Sequence, residues 1–200
     1  MIVLDETGQV ADGDQIMGLI ASRWAEEGRL RGGALVATVM SNLGLERFLE
    51  ARGIGLERTG VGDRYVVERM RAGNFNLGGE QSGHLVLSDY ATTGDGLIGG
   101  LQFLAAMVET GKKASDLARV FEPVPQKLVN VRFAPESAPL ETEAVQEAIA
   151  AGEKALGAAG RLLIRKSGTE PVIRVMGEAE DTGLLDRVLE NIVQSVRNAA

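Results

Sequence analysis

The chain contains no cysteine and only one histidine, His84. The first absence excludes disulfide scaffolds, thiolate metal sites and thiol catalysis. The second excludes any site that needs two imidazoles. Basic residues are outnumbered, 21 against 28 acidic, for a net charge of −7. Such a chain is not expected to bind nucleic acid broadly, although a local basic pocket can still hold a small anion. No apolar run approaches the roughly 18–20 residues of a membrane span, and no charged-then-apolar leader opens the chain. The expectation is therefore a cytoplasmic protein with no membrane partner. No internal repeat or low-complexity tract is visible. What is present is globular: 44% hydrophobic and 24% charged over 200 residues, enough for one large domain or two small ones. Glycine is abundant, 26 residues, at about twice the usual frequency of ~7%. The glycines gather in short clusters, which implies tight loops.

The pattern passes from an α/β half to a smaller α+β half. Residues 2–4 and 9–11 read as a hairpin around Glu6-Thr7-Gly8. A chain that opens inside a hairpin is expected to be cut from a longer one, with residues 1–11 a remnant of a preceding domain. Asp12 or Asp14 is expected to cap a helix reaching about Glu27, with Ile16, Leu19, Ile20 and Trp24 on one face. Residues 34–39 form a continuous apolar run, the mark of a buried strand. The spacing then predicts a helix over 43–51, a strand over 54–57, a helix over 64–71 capped by Asp63, strands at 75–77 and 85–87, and a long apolar helix over 97–108. Strands alternating with helices predict a layered α/β domain over 12–122. Pro123 and Pro125 break the pattern. Beyond them, residues 127–133, 139–156, 161–165, 172–176 and a last helix from Asp181 or Thr182 read as β-α-β-β-α, a small α+β domain over 123–200. In the last helix Leu185, Val188, Leu189, Ile192 and Val196 make one stripe.

Four glycine-rich loops carry what chemistry the sequence offers. Gly78-Gly79-Glu80-Gln81-Ser82-Gly83-His84 lies between two short strands and reads as an exposed turn. Its carboxylate, amide, hydroxyl and imidazole suit a polyol, whose hydroxyls both donate and accept hydrogen bonds; a plain turn with a surface histidine is the bland reading. Arg165-Lys166-Ser167-Gly168-Thr169-Glu170-Pro171 can aim successive backbone N–H groups at one anion, with Arg174 on the next strand adding a planar fork suited to phosphate. Here the bland reading is a hairpin with charged flanks. In Val61-Gly62-Asp63-Arg64-Tyr65 the aspartate reads as a cap, but Arg64 runs against the helix dipole unless an anion or an acidic partner balances it. Gly94, Gly96 and Gly99 match a dinucleotide fingerprint, yet no strand leads straight into that loop, so capping by Thr93 or Asp95 is the better account. Asp12-Gly13-Asp14 has too few oxygen ligands to hold a divalent cation, and capping is preferred there too.

Gly79-Glu80-Gln81-Ser82-Gly83-His84 together with Arg165-Lys166-Ser167-Gly168-Thr169-Glu170-Pro171 and Arg174 resembles the α-D-phosphohexomutase superfamily. Residues 37–42, Val61-Gly62-Asp63-Arg64-Tyr65-Val66 and Thr92-Thr93-Gly94-Asp95-Gly96 look like its bacterial phosphoglucosamine mutase branch. The likeness runs nearly the whole chain in order. It implies that residues 12–122 are the family's third domain and residues 123–200 its fourth. It further implies that the longer protein interconverts glucosamine 6-phosphate and glucosamine 1-phosphate through a bisphosphate. Glu80, Ser82, His84, Asp63 and Arg64 would then contact the sugar. Arg165, Ser167, Gly168, Thr169 and Arg174 would hold its phosphate, and His84 would be the one candidate for a catalytic group. The family's phosphoserine loop and its Asp-Gly-Asp-x-Asp-Arg magnesium loop have no counterpart here, since Asp12-Gly13-Asp14 lacks the later Asp and Arg. Magnesium is thus expected only in the longer protein, no metal is expected in this chain, and no turnover is expected from it alone. A phosphomannomutase or phosphoglucomutase relative, a non-catalytic sugar-phosphate-binding module and a homodimer of the longer protein all stay compatible with the sequence.

Overall fold

A computed structural model describes all residues except Pro135 and Thr169. The chain divides into two compact units, Met1–Pro123 and Val124–Ala200.

The first unit opens with an antiparallel hairpin, β1 (Val3–Leu4) and β2 (Val10–Ala11). Then come α1 (Gly13–Glu26), β3 (Ala34–Thr38), α2 (Leu43–Glu50), β4 (Gly55–Thr59) and α3 (Asp63–Gly73), followed by β5 (Leu77–Gly79), β6 (Leu85–Leu87), α4 (Gly96–Thr110) and α5 (Ala114–Leu117). The four longer-range strands form one sheet in the order β4-β3-β5-β6. β3 is parallel to both neighbours, and β6 returns antiparallel to β5. All five residues of β3 are buried, because helices cover both faces. Leu35 and Ala37 join the core of α1, α2 and α4, around Trp24, Leu45, Leu49 and Phe103. Ala34 and Val36 join a smaller core with Val66 and Met70 of α3. A strand that must be apolar on both sides is what a continuous run such as residues 34–37 encodes. α4 turns Gly99, Phe103 and Ala106 inward, while Leu97, Leu101, Leu104 and Val108 face solvent.

Of the two candidate caps of α1, Asp12 holds the position, its side chain accepting from the Gln15 N–H at 3.1 Å. Several other local readings shift. β4 extends to Thr59, two residues past the predicted end, because polar Glu57 and Arg58 fit a half-exposed edge strand. β5 begins at Leu77 rather than at Phe75: Asn74 adopts a left-handed conformation (φ 54°) and the Phe75 N–H closes α3 on the Met70 carbonyl. Gly78 and Gly79 therefore lie in the strand, and the turn proper is Glu80–His84. Asp63 is not the cap of α3. Gly62 holds that position at φ +131°, and the Asp63 carboxylate instead accepts from its neighbour's N–H, that of Arg64, at 2.7 Å.

The second unit contains β7 (Gln126–Arg132), α6 (Glu143–Leu156), β8 (Gly160–Lys166), β9 (Val172–Ala179) and α7 (Thr182–Asn198). Its sheet is antiparallel with β9 central, in the order β7-β9-β8. Leu185, Val188, Leu189, Ile192 and Val196 of α7 are all buried against it, with Val131, Ile173 and Val175. Residues 139–156 are not one helix. Pro139–Glu141 form a short 3₁₀ turn, Thr142 is extended, and α6 starts at Glu143.

Asp14 lies in the first turn of α1 and is fully buried. Its Oδ2 accepts from the Asn42 N–H at 2.8 Å. Burial pushes its carboxyl up to about 7, against the pull of that N–H, the Ser41 hydroxyl and Arg58. In the unfolded chain it ionises near its ordinary 3.8. Between these values the folded state holds a proton that the unfolded state has released, so stability falls as pH rises from about 4 to about 7, by on the order of a few kcal/mol. Asp14→Asn keeps an oxygen for the Asn42 N–H and removes the titration. Urea unfolding of the first unit, followed through Trp24, is expected to lose midpoint across this pH range in the native chain and to stay level in the variant. Two level profiles would contradict the raised carboxyl.

Candidate functional site

Because β3, β4 and β5 are parallel, their following loops emerge at one edge of the sheet. β4 lies on one side of β3 and β5 on the other, so the order of strands reverses there. Crevices outside the carboxyl ends of strands at such a reversal are the usual ligand sites of α/β sheets. The loop after β4 and the turn after β5 meet: the Gly62 N–H donates to Oε1 of Glu80 at 3.1 Å. Oε2 of the same carboxylate lies 3.3 Å from Nδ1 of His84, and the Ser82 hydroxyl is 3.2 Å from that nitrogen. The turn is closed by its own backbone, Glu80 N–H to the His84 carbonyl and Gly83 N–H to the Glu80 carbonyl, each 2.9 Å.

Glu80 differs from its expected setting. Its side chain is only 14% exposed, whereas that of His84 is 68% exposed. Glu80 ties two loops together, and Ser82 and His84 are the groups offered to solvent. Asp63 and Arg64 follow Gly62 on the same edge. The Arg64 guanidinium is paired within α3 to Glu68 at 2.8 Å, so an acidic neighbour on its own helix balances the charge that the dipole disfavours.

In the second unit Arg165 and Arg174 are cross-strand partners on β8 and β9. Asn130 of β7 pairs with Arg174, which puts all three in one row across the sheet. Ile173 and Val175, on either side of Arg174, point to the helices, so the row lies on the opposite face. Among the described residues neither arginine has an ion pair, and the Arg165 Nε is buried without a hydrogen-bond partner. Burial, then the charge of Arg174, holds the Arg165 guanidinium below its ordinary range. Ser167 is buried, and its N–H is bound to the Val172 carbonyl at 2.8 Å. That amide closes the hairpin, so it is not among the donors a nest would offer. Gly168 is exposed with open space beside it. Thr169 lies outside the described residues.

Two weaker motifs resolve as helix starts. Asp95 caps α4 through the Leu97 and Ile98 N–H groups at 2.8 and 3.1 Å. The Gly94–Gly99 loop follows β6, which is antiparallel, so the dinucleotide geometry is absent. Asp12 and Asp14 bind separate backbone amides, and no group of three or more acidic or histidine side chains that could hold a metal occurs among the described residues. These residues do not fit a magnesium site. No helix among them is long and apolar enough to cross a membrane.

Sequence reasoning passes over Gly62 and Gly13 as residues that bond to the Glu80–His84 turn. Each lies beside a carboxylate, which drew the reading toward capping.

Residues 12–124 match the phosphoglucomutase/phosphomannomutase α/β/α domain III, and residues 128–195 match the C-terminal domain of the same proteins. The chain is 71% identical over 199 residues to the phosphoglucosamine mutase of Ruegeria sp. (strain TM1040), covering 44% of that protein. It is 69% identical over 200 residues to that of Cereibacter sphaeroides (strain ATCC 17029 / ATH 2.4.9), covering 45%. It thus spans less than half the length of these relatives. Among solved structures, the N-acetylphosphoglucosamine mutase of Aspergillus fumigatus superposes with a TM-score of 0.80 at 21% identity, over 99% of this chain and 46% of that one. The same fungal enzyme in complex with GlcNAc-6P and magnesium gives a TM-score of 0.79 at 20% identity, over 98% and 49%. The chain belongs to the phosphoglucomutase/phosphomannomutase family, of which it carries the α/β/α domain III and the C-terminal domain.

Proposed function

We propose that this chain is the C-terminal part of a phosphoglucosamine mutase, with its first unit reading a hexosamine and its second holding a phosphate. The observation that carries the reading is the Arg165–Arg174 pair, two cross-strand guanidiniums with no ion pair among the described residues. Like charges so placed repel and are retained where an anion fills the gap between them. High identity to relatives named phosphoglucosamine mutase supports the sugar class.

In the proposed reaction, glucosamine 6-phosphate and glucosamine 1-phosphate interconvert through a 1,6-bisphosphate. A phosphoserine carried by the longer protein gives its phosphoryl group to one end of the sugar and recovers the other. The longer protein is also the proposed holder of magnesium, in cytoplasmic amino-sugar metabolism, and these 200 residues alone are expected to give no turnover. Within the chain, Arg165 and Arg174 neutralise the phosphate that is not reacting. Ser82, His84 and the exposed part of Glu80 bond sugar hydroxyls, flanked by Asp63 and Arg64. If Nδ1 of His84 carries a proton toward Glu80, Nε2 is left as an acceptor, able to orient a hydroxyl or take its proton.

Each charge-assisted bond to phosphate contributes roughly 1.5–3 kcal/mol, so Arg174→Ala is expected to weaken binding of inorganic phosphate and of glucosamine 6-phosphate by about 10- to 100-fold. In NMR titrations of this chain, either ligand is expected to move amides 165–168, 170 and 172–174. Only the sugar phosphate is expected to move 80–84. Phosphate-induced shifts confined to 94–99 would refute the clamp.

In the longer protein, Glu80→Ala is expected to lower kcat/KM by on the order of 100-fold through misplacement of the sugar. It is also expected to lower stability by about 1–3 kcal/mol, since the Gly62 N–H loses its acceptor. Kinetics with glucosamine, mannose and glucose phosphates, alongside melting, measure both effects. Preference for a mannose or glucose phosphate would move the assignment to another branch of the family.

A further inference from the structure

We propose that the first turn of α1 is the anchor that sets the hexosamine-reading edge, with Gly13 and Asp14 as positioning residues. The proposal rests on Glu80–His84 being the sugar loop. The loops after β3 and β5 leave neighbouring strands at the point where the strand order reverses, and α1 makes a contact with each of them.

Three consecutive residues divide the task. Asp12 caps its own helix through the Gln15 N–H. Gly13 donates its N–H, one of the donors a helix start leaves free, to the Gln81 carbonyl at 2.9 Å. Asp14 accepts the Asn42 N–H at 2.8 Å. The helix N-terminus thus grips the Glu80–His84 turn with one residue and the loop after β3 with the next.

The grip on the turn depends on glycine. A Cβ at position 13 would stand 2.1 Å from the Glu80 carbonyl oxygen, 2.8 Å from the Gly83 nitrogen and 2.9 Å from the Gln81 carbonyl oxygen. All three are backbone atoms of the turn, so no rotamer change relieves the clash and the turn itself must move. The same Glu80 carbonyl accepts the Gly83 N–H that closes the turn. Displacing it would carry Ser82 and His84 away with it. Gly62 holds the turn from the other direction through the Glu80 carboxylate, so these two glycine amides fix it from two sides.

The grip on the other loop is extended by a second set of bonds. Asn42 caps α2 through the Gly44 N–H at 2.8 Å. The Ser41 carbonyl accepts from Arg58 at 2.7 Å, and Arg58 pairs with Glu46 at 2.9 Å. Around the Asp14 carboxyl itself stand the Asn42 N–H, the Ser41 hydroxyl, the like charge of Asp12 and the opposite charge of Arg58. The buried carboxyl is therefore a junction of α1, α2 and β4.

The test compares the native chain with Gly13→Ala, Asp14→Ala and Asp14→Asn in NMR titrations with glucosamine 6-phosphate and, separately, inorganic phosphate. The native titration comes first. No response of residues 80–84 to the sugar phosphate there would defeat the sugar-loop reading and the proposal with it. Given a native response, Gly13→Ala is expected to weaken sugar-phosphate binding at 80–84 at least 10-fold and to leave inorganic phosphate at 165–174 unchanged within twofold. Asp14→Ala is expected to do the same to a smaller degree and to move the amide of Asn42, with Asp14→Asn recovering most of the loss. A native response that persists in Gly13→Ala, or equal weakening of both ligands, would overturn the proposal and leave the sugar-loop reading standing. So would loss of the folded first unit in both Gly13→Ala and Asp14→Ala, which would make the turn a determinant of folding and not of position.

Discussion

The first unit depends on β3 being buried on both faces while running parallel to a neighbour on each side. A strand in that position favours apolar side chains, which is why residues 34–37 are uniformly apolar, and the hydroxyl of Thr38 at its end accepts the Met40 N–H. Parallel pairing also forces every connection through a helix, and helices on both faces supply the cover. The consequence for chemistry is geometric. The carboxyl ends of three strands share one edge, so loops distant in sequence meet without a dedicated scaffold. Gly62 and Glu80 are 18 residues apart and bond directly for this reason.

The two units handle charge in opposite ways. At the edge of the first, the carboxylates have partners: Asp12 a helix amide, Asp14 the Asn42 N–H, Glu80 the Gly62 N–H and His84. In the second, Arg161 is matched by buried Glu178 at one end of the β8–β9 ladder, while Arg165 and Arg174 near the other end are left to repel each other. Exposed ion pairs elsewhere contribute little to stability. A half-buried pair of like charges lowers it, so its presence argues for a ligand more strongly than any number of satisfied pairs could.

Much of the architecture is legible in the sequence, because the features that reveal it are local. At three helix starts one of the two residues read as a cap, Asp12, Asp95 and Asp181, accepts amides of the first turn. The stripe from Leu185 to Val196 is buried as its spacing requires. What the sequence hides is set by tertiary contact. Gly78 and Gly79 look like a turn but belong to β5, where Val66 and Met70 of α3 pack so closely on Gly78 that a side chain has no room. Arg58 and Thr59 look like a loop but lie in an edge strand that tolerates polar residues. At the candidate site, the motifs named the residues proposed to carry chemistry. They did not disclose that Glu80 is mostly buried, that Gly62 supplies its donor, or that the Ser167 amide is spent within its hairpin. Those facts concern where backbone N–H groups point, and a string of residue types does not encode them directly.

The proposed reaction asks one protein to hold the same sugar in two orientations. Side chains reaching from flexible loops would suit one orientation and fail the other. Here the proposed recognition turn is fixed by its own two backbone hydrogen bonds, by the Gly13 amide and, through the Glu80 carboxylate, by the Gly62 amide. Its outward groups, Ser82 and His84, can each donate and accept, so a hydroxyl pattern presented from either direction finds partners. Rigid backbone beneath adaptable polar groups keeps the ordering cost low for both orientations. The arginine pair needs no such versatility. A phosphate monoester presents the same three terminal oxygens whichever carbon carries it, so the proposed pair of guanidiniums can meet a 1-phosphate or a 6-phosphate alike.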